Sequence, residues 1–184
     1  MNGDNGTSAP HSPQLRALLF TDLCDSLQLV ERIGDVAAAS LFQEHDRLVL
    51  VLQHRWNGQL IDRSDGLFML FERAIDALGF ALDYQCELHT LGQQRSIELR
   101  ARAGLHVGDV LTWDNSLEAV RAGAKSMEVE GLAKPMAARL MMLARPGQIL
   151  LSAVAESLTR RATDALGGRG ARRLWESHGR WRFR

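Results

Sequence analysis

Between Gln59 and Phe71 two short apolar runs, Leu60-Ile61 and Leu67-Phe68-Met69-Leu70-Phe71, flank the polar string Asp62-Arg63-Ser64-Asp65-Gly66. An Asp-Gly pair between strand-like runs marks a β-hairpin, because glycine tolerates the positive φ that such a turn requires. Two strands therefore run side by side and antiparallel, with Asp65 expected at their tip. What surrounds this hairpin follows from hydrophobic spacing. Leu15 to Phe20 is a short apolar run ending at Thr21-Asp22 and reads as a buried strand. Asp35 to Trp56 carries Leu41, His45, Leu48 and Leu52 at helical steps, and Asn57-Gly58 breaks that helix. Ala74, Ile75, Leu78, Ala81, Leu82 and Leu88 restore helical spacing after the hairpin.

From Glu98 to Val110 the pattern returns to alternation, with Leu99, Ala101, Ala103, Leu105 and Val107 set against Arg100, Arg102 and His106. A polar loop is expected from Trp113 to Lys125, and a helix carrying Leu132, Met136, Leu140 and Leu143 follows Gly131. Arg145-Pro146-Gly147 stops it, Gln148 to Ser152 reads as a strand, and Val154 to Ala162 as a short helix. Gly167 to Gly170 reads as loop and Leu174 to Arg184 as one or two edge strands. Strands interrupted by helices around a central hairpin predict an α+β sheet with helices packed on one side.

The 184 residues suffice for one domain with a real core. Residues 1–14, polar and rich in Gly, Pro, Ser and Asn, are expected to be a flexible leader, leaving residues 15–184 to fold. With 22 basic and 22 acidic residues the net charge is zero, so no overall field points to nucleic acid. From Arg139 onward, however, ten arginines face only Glu156, Asp164 and Glu176. That basic end suits phosphate or is simply a solvated face. Two cysteines, Cys24 and Cys86, are too few for a disulfide framework or a cysteine-based zinc site. No run is long and apolar enough for a membrane helix, and no signal-peptide pattern opens the chain, so the expected setting is cytoplasmic.

Four segments, Leu18-Leu19-Phe20-Thr21-Asp22-Leu23, Ser64-Asp65-Gly66, Gly104-Leu105-His106-Val107-Gly108 and Glu128 to Arg139, occur in the order and spacing of one family. In them the chain resembles the class III nucleotidyl cyclase catalytic domain, the adenylate and guanylate cyclase family, from about Leu15 to Arg184. The resemblance implies a ferredoxin-like, antiparallel-rich α+β fold. It also implies a homodimer with composite active sites, which converts GTP or ATP to the 3′,5′-cyclic monophosphate and pyrophosphate.

The chemistry explains why such a site needs carboxylates. A 3′-hydroxyl must lose its proton and attack the α-phosphorus in line while negative charge moves onto pyrophosphate. Two divalent cations about 3.5–4 Å apart can serve both ends of that displacement. Carboxylates are the hard oxygen ligands that Mg2+ or Mn2+ takes. The resemblance assigns Asp22, Leu23 and Asp65 to the two ions, with Asp25 a weaker candidate where the family commonly has glycine. For each Asp the competing reading is turn chemistry.

Arg139 matches the family arginine that steadies phosphate charge in the transition state, a role suited to a guanidinium's paired donors. One helical turn earlier the family usually has Asn, and this chain has Pro135. Lys134 is a candidate substitute donor or a surface lysine, and Arg184 matches a basic phosphate contact near the family's C-terminal strands. For the base, family members often carry Lys for ATP or Glu for GTP four residues before the second metal aspartate. That count lands on Ile61, or with a one-residue gap on Asp62, whose carboxylate suits guanine. Glu128 stands where ATP-using members have Asp, so the two base-facing positions disagree. His106, Gly104 and Gly108 read as structural, and Met136, Met141 and Met142 as core or interface filler. The competing account is a cyclase-like dimerisation or regulatory module that binds nucleotide without turnover, with Pro135 its best support.

Overall fold

The computed structural model describes residues 12–63 and 66–160. Ser64 and Asp65, most of the leader, and everything from residue 161, including the expected loop at Gly167 to Gly170, the edge strands from Leu174 and Arg184, lie outside the described residues. The elements in chain order are β1 (Gln14–Leu23), α1 (Ser26–Ile33), α2 (Asp35–Arg55), β2 (Gln59–Asp62), β3 (Leu67–Phe71) and α3 (Ala74–Arg95). They continue with β4 (Ala101–Asp114), α4 (Leu117–Arg121), β5 (Met127–Glu130), α5 (Ala133–Leu143), β6 (Ile149–Leu151) and α6 (Ala153–Arg160).

The sheet runs β2-β3-β1-β4-β5, with β6 added in parallel to β4. All other pairings are antiparallel, including the expected β2–β3 hairpin and a long β1–β4 ladder in which Asp22 stands opposite Arg102. β4 is long enough to use two partners along one edge, β6 over Ala103–Leu105 and β5 over Leu111–Asp114.

Side chains alternate across this sheet as the strand period demands. Ala17, Leu19, Met69, Phe71, Ala103 and Leu105 enter the larger core with residues of α2, α3 and α6. Leu18, Phe68, Leu70 and Val110 enter a second, smaller core with Val129, Ala133 and Ala137. The predicted antiparallel-rich α+β architecture is therefore present, and its helix layer holds for α2, α3 and α6. Helix α5 crosses the opposite face. It can lie there because Gly104 has no side chain: a Cβ at that position would come within 2.2 Å of Met141 N and 2.4 Å of Ala137 O. Gly108 is similarly close, with Ala133 Cβ at 2.9 Å from the same hypothetical atom. Both glycines thus have a structural role, as read from the sequence, and that role is close approach to α5. No helix among the described residues is long and apolar enough to cross a membrane.

Candidate active site

β1 is a central strand, and its C-terminal end carries Asp22 out of the larger core while Thr21 stays buried. The chain then turns sharply. Asp25 adopts φ 56° and ψ 28°, the left-handed region that Asp and Asn tolerate better than most residues and glycine best of all. This is the physical reason a glycine is favoured at that place. From there α1 begins, with no side-chain cap on its first-turn amides and no acidic residue in its first turn. Cys24 lies in the turn with its Sγ 3.9 Å from Asp22 O. Burial pushes its thiol pKa up, so it remains a thiol at neutral pH.

The β2–β3 connection returns against the same point. Gly66, the residue after Asp65 in the chain, has φ 121°, and a Cβ there would overlap Thr21 O at 2.1 Å and approach Asp22 Cα at 3.3 Å. Only glycine fits this contact between the turn and the end of β1.

Asp22 is not without a partner. Its Oδ2 accepts from Arg102 Nε at 2.9 Å and from Arg102 Nη2 at 2.6 Å, across the β1–β4 ladder. The pair is not sealed, since the side chains are 28% and 35% exposed respectively. Both donors converge on one oxygen, leaving Oδ1 outside the described contacts. That oxygen and the main-chain carbonyl of Leu23, the one donor an aliphatic residue can offer a cation, are hard ligands of the kind Mg2+ and Mn2+ take. Among the described residues no three His, Cys, Asp or Glu side chains cluster with metal-holding geometry.

The base-facing candidates meet elsewhere. β5 folds toward β2, and Asp62 Oδ2 lies 2.5 Å from the Nζ of Lys125, which precedes β5. Asn115 fixes this junction, donating through Nδ2 to Lys125 O at 2.9 Å and to Glu128 Oε1 at 3.2 Å. Hydrogen bonding to Asp62 raises the Lys125 pKa against the opposing effect of burial, and Glu128 and Glu130 add to the rise. Sequence spacing brings together Asp62 and Glu128 only by analogy; it contains no sign that Lys125 joins them.

Helix α5 presents the phosphate-facing candidates. Ala133, Ala137 and Leu140 are buried, which leaves Pro135 and Arg139 together on the exposed side, one turn apart. Pro135 sits in the first turn, where the absent N–H breaks no intrahelical bond. Lys134 points back at β5, donating to Val129 O and Glu130 Oε1, each at 3.0 Å. Two of its three donors thus tie the start of α5 to β5. His106 is buried, with Nδ1 2.8 Å from Ser152 Oγ, and burial lowers its pKa; the structural role read for it agrees with that setting.

No protein-family profile matches the sequence, and a search of curated proteins finds no match to it. Solved structures do match. The adenylyl cyclase CyaB from P. aeruginosa superimposes with a TM-score of 0.74 at 17% identity, over 82% of each chain. The guanylyl cyclase Cya2 gives 0.70 at 16% identity, over 82% of this chain and 81% of that one. The guanylate cyclase domain of RhGC from Catenaria anguillulae, solved in complex with GTP, gives 0.70 at 15% identity, over 80% and 84%. The ladder of β1 on β4, the hairpin beside them and α5 across the second face thus form the fold of the class III adenylyl and guanylyl cyclase catalytic domains.

Proposed function

We propose that this chain is a purine nucleotide cyclase, acting as a homodimer with Mg2+ or Mn2+ on ATP or GTP. The observation that carries this reading is the placement of Asp22 in a cyclase fold. It is a half-buried carboxylate at the end of a central strand, beside an uncapped helix start and against the turn that contains Asp65 in sequence.

In this reading Asp22, Leu23 and Asp65 of one subunit hold the ions. When bound, the ions supply positive charge to the attacking 3′-oxygen and to the polyphosphate oxygens. The uncapped amides of α1 offer donors to the phosphates, as helix N-termini do. Arg139 of the other subunit carries charge that builds on the α-phosphate and the leaving pyrophosphate. The 3′-hydroxyl gives up its proton to solvent water, its oxygen bonds to the α-phosphorus, and the bond from that phosphorus to the bridging oxygen breaks, the electron pair leaving on pyrophosphate. A 3′,5′-cyclic monophosphate and pyrophosphate result. Asp62 and Glu128 face the base.

Pro135 favours a second reading, a nucleotide-binding regulatory module without turnover, because it puts no side-chain donor on the exposed turn that precedes Arg139. The two readings separate when the purified protein is incubated with Mn2+ and ATP or GTP and the products are identified by mass. A cyclic monophosphate that disappears in Asp22→Ala supports the enzyme; bound nucleotide with no product supports the module.

A further inference from the structure

We propose that His45 and Tyr84 support the Asp22 end of β1 from the core side, through Thr21, and that protonation of His45 tightens this support. The proposal rests on the cyclase reading in taking Asp22 as a metal ligand. His45 and Tyr84 are positioning residues in it, acting on Asp22 only through Thr21.

Thr21 Oγ1 is the one buried side-chain nitrogen or oxygen among the described residues that makes no hydrogen bond. An unpaired buried hydroxyl is costly and rare enough to need a reason. Its position supplies one. Thr21 pairs with Leu67 of β3 and Ala103 of β4, and by strand alternation its side chain lies on the face of the sheet opposite to that of Asp22. Its main-chain oxygen is the atom that a Cβ at Gly66 would strike. Whatever holds Thr21 from the core side therefore bears both on Asp22, one peptide link away, and on the turn at Gly66.

Tyr84 of α3 faces it. Burial pushes the Tyr84 pKa up, the nearby Thr21 hydroxyl opposes the rise and the Asp22 charge adds to it. Tyr84 thus keeps its proton and gives it to one acceptor at a time. His45 of α2 competes for that proton, with Nε2 2.7 Å from the same hydroxyl. Besides Tyr84, the groups acting on His45 are Asp46, whose Oδ1 is 3.9 Å from Nδ1, and Arg63, which binds Asp46 at 2.8 Å. Burial outweighs the pull of Asp46, so the ring is neutral at about pH 7.5. With its own proton on Nδ1, toward Asp46, the neutral ring takes the Tyr84 proton at Nε2, and Thr21 Oγ1 is left without a donor. A second proton on the ring, taken from solvent, turns Nε2 into a donor. The Tyr84 oxygen then accepts from it, and the phenolic proton turns to Thr21 Oγ1. Tyr84 loses no proton, and the orphaned hydroxyl gains a bond that anchors the end of β1 to α3.

The test follows the Thr21 methyl and the His45 ring of the full chain by nuclear magnetic resonance from about pH 7.5 to about 5.5. Mn2+ binding without nucleotide is titrated over the same range by its free-ion electron paramagnetic resonance signal. The Thr21 methyl should shift with the midpoint of His45 in the unmutated chain and not in Tyr84→Phe. As pH falls, Mn2+ affinity of the unmutated chain should rise about threefold relative to that of Tyr84→Phe, a comparison that cancels proton competition at the carboxylates. His45→Gln has no titrating ring, and Thr21→Val keeps the branched shape without the acceptor, so each should lose this response. Thermal unfolding at each pH shows which variants are folded. A Thr21 methyl indifferent to His45, a Mn2+ affinity with the same pH dependence in all these chains, or Mn2+ binding that Asp22→Ala leaves unchanged overturns the proposal. Cyclic product from ATP or GTP alongside any of those results leaves the cyclase reading standing. Linked Thr21 and Mn2+ responses without product do the opposite.

Discussion

Asp22 offers one oxygen to two nitrogens of Arg102, and this geometry decides how a cation can be received. Oδ1 remains outside that contact, but the guanidinium's charge lies close and opposes a second positive charge. A half-exposed pair is worth little in itself, up to about 1 kcal/mol. Replacing Arg102 with Gln should therefore tighten Mn2+ binding in the absence of nucleotide by roughly twofold to fivefold, read by titration of the free-ion electron paramagnetic resonance signal. Unchanged or weaker Mn2+ binding in that variant would show that the arginine does not compete for the carboxylate. Asp25 illustrates the same scale from the backbone side. Its left-handed conformation is set by the turn into α1, so this chain meets with an aspartate a steric demand that glycine meets at no cost.

At the scale of elements, what was legible in the sequence is what local pattern determines. The β2–β3 hairpin follows from Asp65-Gly66 between apolar runs, and α2, α3 and the β1–β4 strands from unbroken spacing over many residues. α1 is not legible in the sequence because Ser26–Ile33 is short and buries Leu29 alone, nor is β5, because Met127–Glu130 is only four residues long. α4, with no buried residue, lies in what reads as a polar loop. The candidate site divides the same way. Asp22 and Arg139 are candidates through motif position, whereas Arg102 against Asp22 and Lys125 against Asp62 come from pairing of segments distant in sequence, which spacing does not encode. Gly104 shows one element depending on another. In Gly104→Ala the new methyl meets main-chain atoms of α5, which cannot rotate aside as a side chain would. Loss of about 1–3 kcal/mol is expected, as a lower urea midpoint with unchanged slope. Full retention of the midpoint would mean that α5 shifts freely over the sheet.

For the whole molecule, the buried imidazole of His106 and the partly buried one of His45 lower stability toward acid pH. His45 lies 2.7 Å from the hydroxyl of Tyr84 in the larger core, and burial, with a smaller effect from Arg63, lowers its pKa against the opposing pull of Asp46. Burial lowers that of His106 as well. Unfolded, both rings would take protons near their ordinary value of about 6.5. Below that pH the unfolded chain binds more protons than the folded one, so stability is full above about pH 6.5 and falls as pH drops toward the folded values. The urea midpoint should be flat from about pH 8 to 7 and decline below, with a shallower decline in His45→Gln; an equal decline in that variant would exclude His45 as a source. The cyclase account makes a further demand on the assembly, that Asp22 and Arg139 serve one site from two subunits. Mixing inactive Asp22→Ala with inactive Arg139→Ala, under conditions that exchange subunits, tests this. In half of the dimers each mutant then faces the other, and one of their two sites is intact, so cyclic nucleotide production should return to about a quarter of the unmutated rate. A mixture no more active than its separate components would contradict the account.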